Sequence, residues 1–289
     1  MSADVLAQSL ISGLLVGAVY ALLSVGFSLG WGVMKVLNIA HAAFALLAAY
    51  LAYWILERAR LDPLLSLLLI VPLFFLLGVA LYQLLIRPVT RAREVAMASM
   101  VVTFGLAIIM ENTMLYAWKA DVRVVKTAYI GASLALGRLS IPLGSLFGSL
   151  LSIVAIALLY LFLHRTYTGK AVRATWQDAE GATLMGVDLS RVSAIALGLA
   201  IASAGVGGVA MSFIYAFHPP VHLVWLLFVF LVTILGGVGS LPGAAAAGLV
   251  IGAILGAAGA LMPFAWLNLI LFVLLSVILL VRPAGLFRV

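Results

Sequence analysis

Nine stretches of this chain run almost unbroken through apolar residues, at 6–33, 42–56, 64–86, 95–118, 143–163, 192–217, 223–235, 244–261 and 264–281. A helix needs about 20 such residues to cross the hydrocarbon of a bilayer, whereas a membrane β-barrel strand alternates polar and apolar positions. Continuous runs therefore predict an all-α fold, a polytopic transmembrane helical bundle of eight to nine membrane segments. Two runs, 42–56 and 223–235, are short for a full crossing. They read as tilted, re-entrant or broken helices, which a membrane tolerates only where protein or a water-filled cavity covers the backbone. No linker divides the runs, so residues 1–289 read as one transmembrane domain with a cytoplasmic loop at 164–191.

Composition agrees with the pattern. Hydrophobic residues make up 66% of the chain and charged residues 9%, against roughly 25% charged in soluble domains. The net charge of +7 would raise nucleic acid as a partner for a soluble protein. Here the basic residues sit between apolar runs, where loop orientation and anionic lipid headgroups account for them; membrane lipid is the expected partner, not nucleic acid. The chain contains no cysteine, which excludes disulfides, thiol catalysis and thiolate metal sites. Its opening residues, MSADVLAQSL, lack the basic segment of a signal peptide.

Orientation follows from the lysines and arginines of short loops. Lys35, Arg87, Arg91, Arg93, Arg165, Lys170, Arg173, Arg191, Arg282 and Arg288 fall on one side, ten of the sixteen basic residues. That side is expected to be cytoplasmic, with the C-terminus there and the N-terminus outside. Glycines recur every fourth residue at Gly13/Gly17, Gly26/Gly30 and Gly248/Gly252/Gly256. This spacing places them on one helix face, where helices approach closely within a bundle or between subunits.

Catalytic machinery is hard to find. The four histidines (His41, His164, His218, His222) and nine acids are scattered, with no H-E-x-x-H pair and no G-x-S-x-G elbow. Pro219 and Pro220 break the helical spacing of His218 and His222, so no metal site is expected. Gly169-Lys170 lacks the remainder of a phosphate loop, and GGVGSLPG (236–243) carries no lysine; the chain is not expected to hydrolyse ATP. An ionisable residue inside an apolar run is a functional candidate, and Glu111, beside Asn112, is the clearest. It reads equally as a substrate contact or as a side chain reaching outward or capped by Asn112. A carrier coupled to ions, working alone through Glu111, is the alternative function.

Residues 164–191 form the sizeable polar stretch on the expected cytoplasmic side. Asp178 can cap a short helix through Glu180 to Met185, with Gly186 at its C-terminal end. An amphipathic helix here suggests a docking surface for a partner, or else a helix lying on the headgroups.

GLLVGAVYALLSVGFSLGWGVMKVLNIAHAAFALLAAYLA, TGKAVRATWQDAEGATLMGVDLSRVSAIALGLAIASAGVGGV, LGGVGSLPGAAAAGLVIG and the closing VRPAGLF resemble, in collinear order, the LivH-type branched-chain amino acid permeases of bacterial ABC importers. The resemblance implies a non-catalytic, multi-pass subunit of the bacterial inner membrane. It implies a second permease subunit (a related heteromer or a second copy), two cytoplasmic ATP-binding subunits and a periplasmic solute-binding protein. ATP would be bound by those partners, with no cofactor in this chain. The coupling loop would carry Gly169, Arg173, Asp178, Ala182 and Gly186. Asn38 and His41 fall at the family's N-[FI]-A-H-G-[ED] motif, as a structured break lining or bracing the translocation path. Asn38 is expected to satisfy backbone groups freed at that break, and Lys35 to mark the cytoplasmic end of the first helix.

The sequence also departs from the family pattern. Ala42 and Ala43 replace the usual glycine and acid, His222 stands at a turn glycine, and Phe228 at a lysine. Asn38, His41, Glu111, Asn112, His222 and Phe228 are thus the candidate pathway residues. The cargo expected is an amino acid or a more hydrophobic or aromatic carboxylate.

Overall fold

The computed structural model describes residues 3–137, 139–262, 265–281 and 285. The chain begins with α1 (Ala3–Met34). After an irregular segment comes α2 (His41–Ala59), then α3 (Pro63–Leu81). That helix continues through a widened π turn (Tyr82–Ile86) into the short α4 (Arg87–Val89). The widened turn stands just ahead of Pro88, whose missing N–H and bulky ring forbid the ordinary bond to Leu84. Next come α5 (Val95–Trp118), a hairpin of β1 (Ser133–Leu136) and β2 (Leu139–Pro142), and α6 (Leu143–Arg165). Two short helices, α7 (Tyr167–Gln177) and α8 (Ala179–Leu184), lead into α9 (Leu189–Ile214). The chain closes with a 3-10 turn (Pro219–Val221) entering α10 (His222–Gly236), then α11 (Leu241–Leu261) and α12 (Ala265–Val281).

Eight described helices are long and apolar enough to cross a membrane, and α12 adds 17 residues. The all-helical, polytopic expectation holds, with one small antiparallel hairpin added. Both runs that looked short are longer than the apolar count indicated. α2 gains Glu57, Arg58 and Ala59 at its end, and the segment ending in α10 begins at Pro219 and spans 18 residues. A polar residue ends an apolar run before it ends a helix.

Successive crossings divide the loops between two faces. The first face holds the start of α1, the α2–α3 turn, the segment between α5 and α6, and the α9–α10 turn. They are tied together there: Tyr129 donates to Asp62 Oδ1 at 2.8 Å, and Arg123 and Phe217 exchange backbone bonds of 2.9 Å. Gln8 brackets Ser140 with its side-chain amide, Nε2 donating to the Ser140 carbonyl and Oε1 accepting from the Ser140 N–H. The second face holds Lys35, α4, α7, α8 and the α10–α11 turn. Arg282 and Arg288, which the charge argument used, and Phe264, at the start of the last apolar run, lie outside the described residues.

At the centre stands α9, buried along nearly its whole length from Val192 to Phe213 and packed by α1, α2, α3 and α6. Its small residues let backbones touch: a Cβ at Gly208 would fall on the Ala45 carbonyl, and Gly198 abuts Phe75. Without hydrophobic drive between helices in lipid, such close packing is what associates them. α1 and α11 run antiparallel on the same principle, Gly13 and Gly17 against Gly248, Gly252 and Gly256. α3, α5 and α6 instead turn Leu68, Leu76, Met97, Ile109 and Leu158 outward, the face expected of helices bathed in acyl chains.

Candidate translocation site

The break after α1 is built from inside the bundle. α1 ends where Lys35 takes a left-handed conformation (φ 54). The chain then climbs back along α1: His41 Nε2 donates to the carbonyl of Leu23 at 3.0 Å, about three turns or ~16 Å above Met34. Residues 35–40 are thus irregular backbone at membrane depth, and their polar groups need partners. α5 supplies them. Leu37 N–H donates to Ser99 Oγ at 3.1 Å and Ile39 N–H to Thr103 Oγ1 at 3.0 Å, while Thr103 Oγ1 donates to Leu37 O at 2.9 Å.

This corrects the expectation for Asn38. Its side chain is buried, yet neither Oδ1 nor Nδ2 has a hydrogen-bond partner among the described residues. It and His41 line a crevice with Phe27, Trp31 and Leu197, with room for about one water (≈ 10 Å³). Sequence reasoning missed Ser99 and Thr103, although their i, i+4 spacing on an apolar helix marks one polar stripe.

A wider cavity of ≈ 600 Å³ opens on the first face between α1, α10 and α11. Phe228 lies in its wall, stacked on Tyr20 with ring centroids 4.6 Å apart. Trp225, Tyr215, Ser9 and Ser12 complete its character. Gly13 and Gly256, from the α1–α11 seam, also border it. Nothing in a single sequence pairs Tyr20 with Phe228, so the cavity was not foreseen.

Glu111 and His222 come together on another side of α10. His222 Nδ1 donates to the carbonyl of Pro219 at 3.0 Å, which leaves Nε2 facing Glu111 Oε2 at 3.9 Å. The imidazole is buried and the carboxylate largely so. Asn112 does not join them: it donates to Ile108 O at 2.9 Å on the exposed side of α5.

On the second face, residues 164–191 form two helices where one was expected. Thr166 caps α7, its Oγ1 accepting from Gly169 N–H at 2.9 Å. Gly169 packs so closely on Phe162 and Leu163 that a Cβ would strike their backbone, and Arg173 Nε donates to Leu163 O at 3.0 Å. Asp178 caps α8 through Gly181 N–H at 3.0 Å. Gly186 (φ +86) ends α8: its N–H donates to Thr183 O, and Val187 N–H to Ala182 O, a Schellman closure. Ala182 faces inward, whereas Leu184 and Met185 are 87% and 85% exposed. From sequence Trp176 counts only among the apolar residues of this segment, with Val172, Leu184, Met185 and Val187. Its indole lies against Gly32 of α1 and Gly239 of the α10–α11 turn, a turn also held by Ser28 Oγ accepting from Gly239 N–H at 2.8 Å.

Comparison with known proteins places this arrangement. The family described as branched-chain amino acid transport system / permease component matches residues 9–280. The high-affinity branched-chain amino acid transport system permease protein LivH of Salmonella typhimurium is 25% identical over 96% of this chain and 94% of its own length. BraD of Pseudomonas aeruginosa, with the same description, is 26% identical over the same shares. A probable branched-chain amino acid transport permease protein LivH of Methanocaldococcus jannaschii is 25% identical over 80% of this chain and 74% of its own. No solved structure matches. The chain is a multi-pass membrane protein and belongs to the family of branched-chain amino acid transport system permease components.

Proposed function

We propose that this chain is the non-catalytic permease of a bacterial inner-membrane ABC importer, with its first face outside and its second face, including the C-terminus, in the cytoplasm. A second permease subunit completes the pathway, and a periplasmic solute-binding protein delivers cargo to the first face. Two cytoplasmic subunits bind and hydrolyse ATP; this chain takes part in no bond-making step and carries no cofactor. The family assignment supports the role, and the exposed Leu184 and Met185 on a rigidly capped α8 carry the docking assignment. A partner docked on α8 would bury these two neighbouring apolar side chains.

The pathway runs from the first-face cavity, past the Tyr20–Phe228 stack, toward the crevice at Asn38 and His41. ATP-driven closure of the partner pair moves α7 and α8, and Trp176 passes the movement to α1 and the α10–α11 turn. The two conformations must differ in their affinity for ATPase and cargo for that movement to transport anything.

Because the chain lacks cysteine, docking is testable on a clean background. Leu184→Cys should cross-link to a single cysteine on the co-expressed ATPase, and Leu184→Glu should abolish co-purification while the chain stays in the membrane. Full ATPase binding by Leu184→Glu, with no cross-link from Leu184→Cys, refutes the docking surface.

A further inference from the structure

We infer that a groove between α1, α6 and α11, in the second-face half of the bundle, binds one anionic phospholipid. Its acyl chains lie between the helices and its phosphate rests on Arg165. The inference needs the membrane fold alone and stands apart from cargo and ATP.

α6 and α11 both pack on α1 and leave between them a groove of ≈ 520 Å³. Ala18 and Ala21 form its floor, and its walls run from Ile153 to Leu161 on α6 and from Leu241 to Leu249 on α11. Eight residues of helix make it ~12 Å long, close to the ~15 Å depth of hydrocarbon in one leaflet. Every lining side chain is apolar except Tyr160, so a polar solute finds no partners there. Ile153, Leu161 and Leu249 stand about half exposed along its rims, which opens the groove sideways to the bilayer.

Width decides the occupant. Spread over ~12 Å, the volume gives a cross-section of roughly 40 Å². A helix, about 10–12 Å across, needs about 80–110 Å², so a helix of a companion subunit does not lie in it. Hydrocarbon chains, which pack at about 3.5–4.0 Å between carbons, do.

Charge fixes the head end. Ile153, Ala157 and Leu161 recur at every fourth residue, and Arg165 continues that face of α6 to the second face. Arg165 is exposed, with no ion-pair partner among the described residues, and its planar fork suits a phosphate. Tyr160 is stacked on His164 with ring centroids 3.9 Å apart, and His164 Nδ1 donates to the Tyr160 carbonyl at 2.9 Å. This fixes an aromatic ring on the rim, at the level where aromatic belts meet headgroups. α6, α7, α11 and the turn at 237–240 contain no acid, and their charged side chains are Arg165, Lys170 and Arg173. One cation at the surface favours an anionic headgroup on the order of fivefold.

The test is native mass spectrometry of the purified full-length chain, exchanged into micelles holding equal phosphatidylglycerol and phosphatidylcholine. One phosphatidylglycerol per chain should be retained, favoured about fivefold over phosphatidylcholine. Ala157→Trp fills the groove from an exposed position and should cut retention at least threefold. Leu158→Trp, on the outward side of the same helix, should not. Arg165→Gln should keep a lipid yet lose the preference. No lipid retained, no preference in the unaltered chain, equal effects of the two tryptophans, or an unchanged preference in Arg165→Gln overturns the inference. So does a cross-link from Ala157→Cys to a companion permease in the assembled transporter, which would put protein in the groove. The permease reading survives each of these outcomes, since its own failure shows as loss of ATPase docking.

Discussion

Replacing Gly252 by alanine probes the seam between α1 and α11 with a single methyl group. A Cβ there stands 2.4 Å from the carbonyl oxygen of Gly13 and 2.6 Å from the Cα of Gly17. Both obstacles are backbone, so no rotamer change relieves them. Ordinary contact begins at 3.4 Å, so the helices must part by about 1 Å (3.4 − 2.4). Overpacking of this kind costs up to ~3 kcal/mol, and the better helix propensity of alanine returns at most ~1 kcal/mol. The expected net loss is ~2 kcal/mol, a fall of roughly 4–8 °C in Tm for a protein of this size. Gly105→Ala on α5 is the matched control, since a Cβ there meets nothing within 4 Å; it should leave Tm unchanged or raise it. The assay heats detergent-solubilised protein and measures the monodisperse fraction by size-exclusion chromatography. Equal shifts in the two variants would refute the claim that backbone contact, rather than the loss of a glycine as such, sets the cost.

Removing the α5 brace should loosen the break at 35–40. Thr103→Val orphans Ile39 N–H and Leu37 O at a cost of about 1–3 kcal/mol, and hydrogen exchange of residues 37–39 should rise by tenfold or more; Thr103→Ser should restore protection. Trp176→Ala should leave ATPase binding intact yet lower cargo moved per ATP hydrolysed by at least fivefold, with Trp176→Phe recovering part of it. Unchanged stoichiometry would remove Trp176 from the coupling path. The tie between Tyr129 and Asp62 should show alkaline sensitivity. Burial first, and then its bond to Asp62, raise the Tyr129 phenol above the usual ~10. Its contribution to stability is therefore complete below pH ~10 and lost as pH rises through the raised value; Tyr129→Phe should flatten that part of the stability profile.

Much of the architecture was legible because a membrane imposes one rule on long apolar runs. The run 95–118 coincides with α5, and Asp178 and Gly186 announced both ends of α8 through their cap chemistry. α7 was hidden because it carries as many polar as apolar residues, so only the periodicity of Gly169, Val172 and Thr175 against the bundle marks it. At the candidate site, Glu111, His222 and Phe228 could be picked out one at a time as unusual residues. Their partnerships could not. Glu111 meets His222, and Phe228 meets Tyr20, across elements whose adjacency arises only from packing. Asn38 shows the limit most plainly: a polar residue at a helix break suggested a local cap, whereas the break is held from α5 and Asn38 points unpaired into a crevice.

The most direct measurement is cargo uptake into proteoliposomes holding this chain, its companion permease and the ATPase pair, with the binding protein outside. Uptake should require enclosed ATP, stop when hydrolysis is blocked, and proceed without any ion gradient. Glu111→Gln should retain it. Uptake driven by an ion gradient in the absence of ATP, and abolished by Glu111→Gln, would contradict the account.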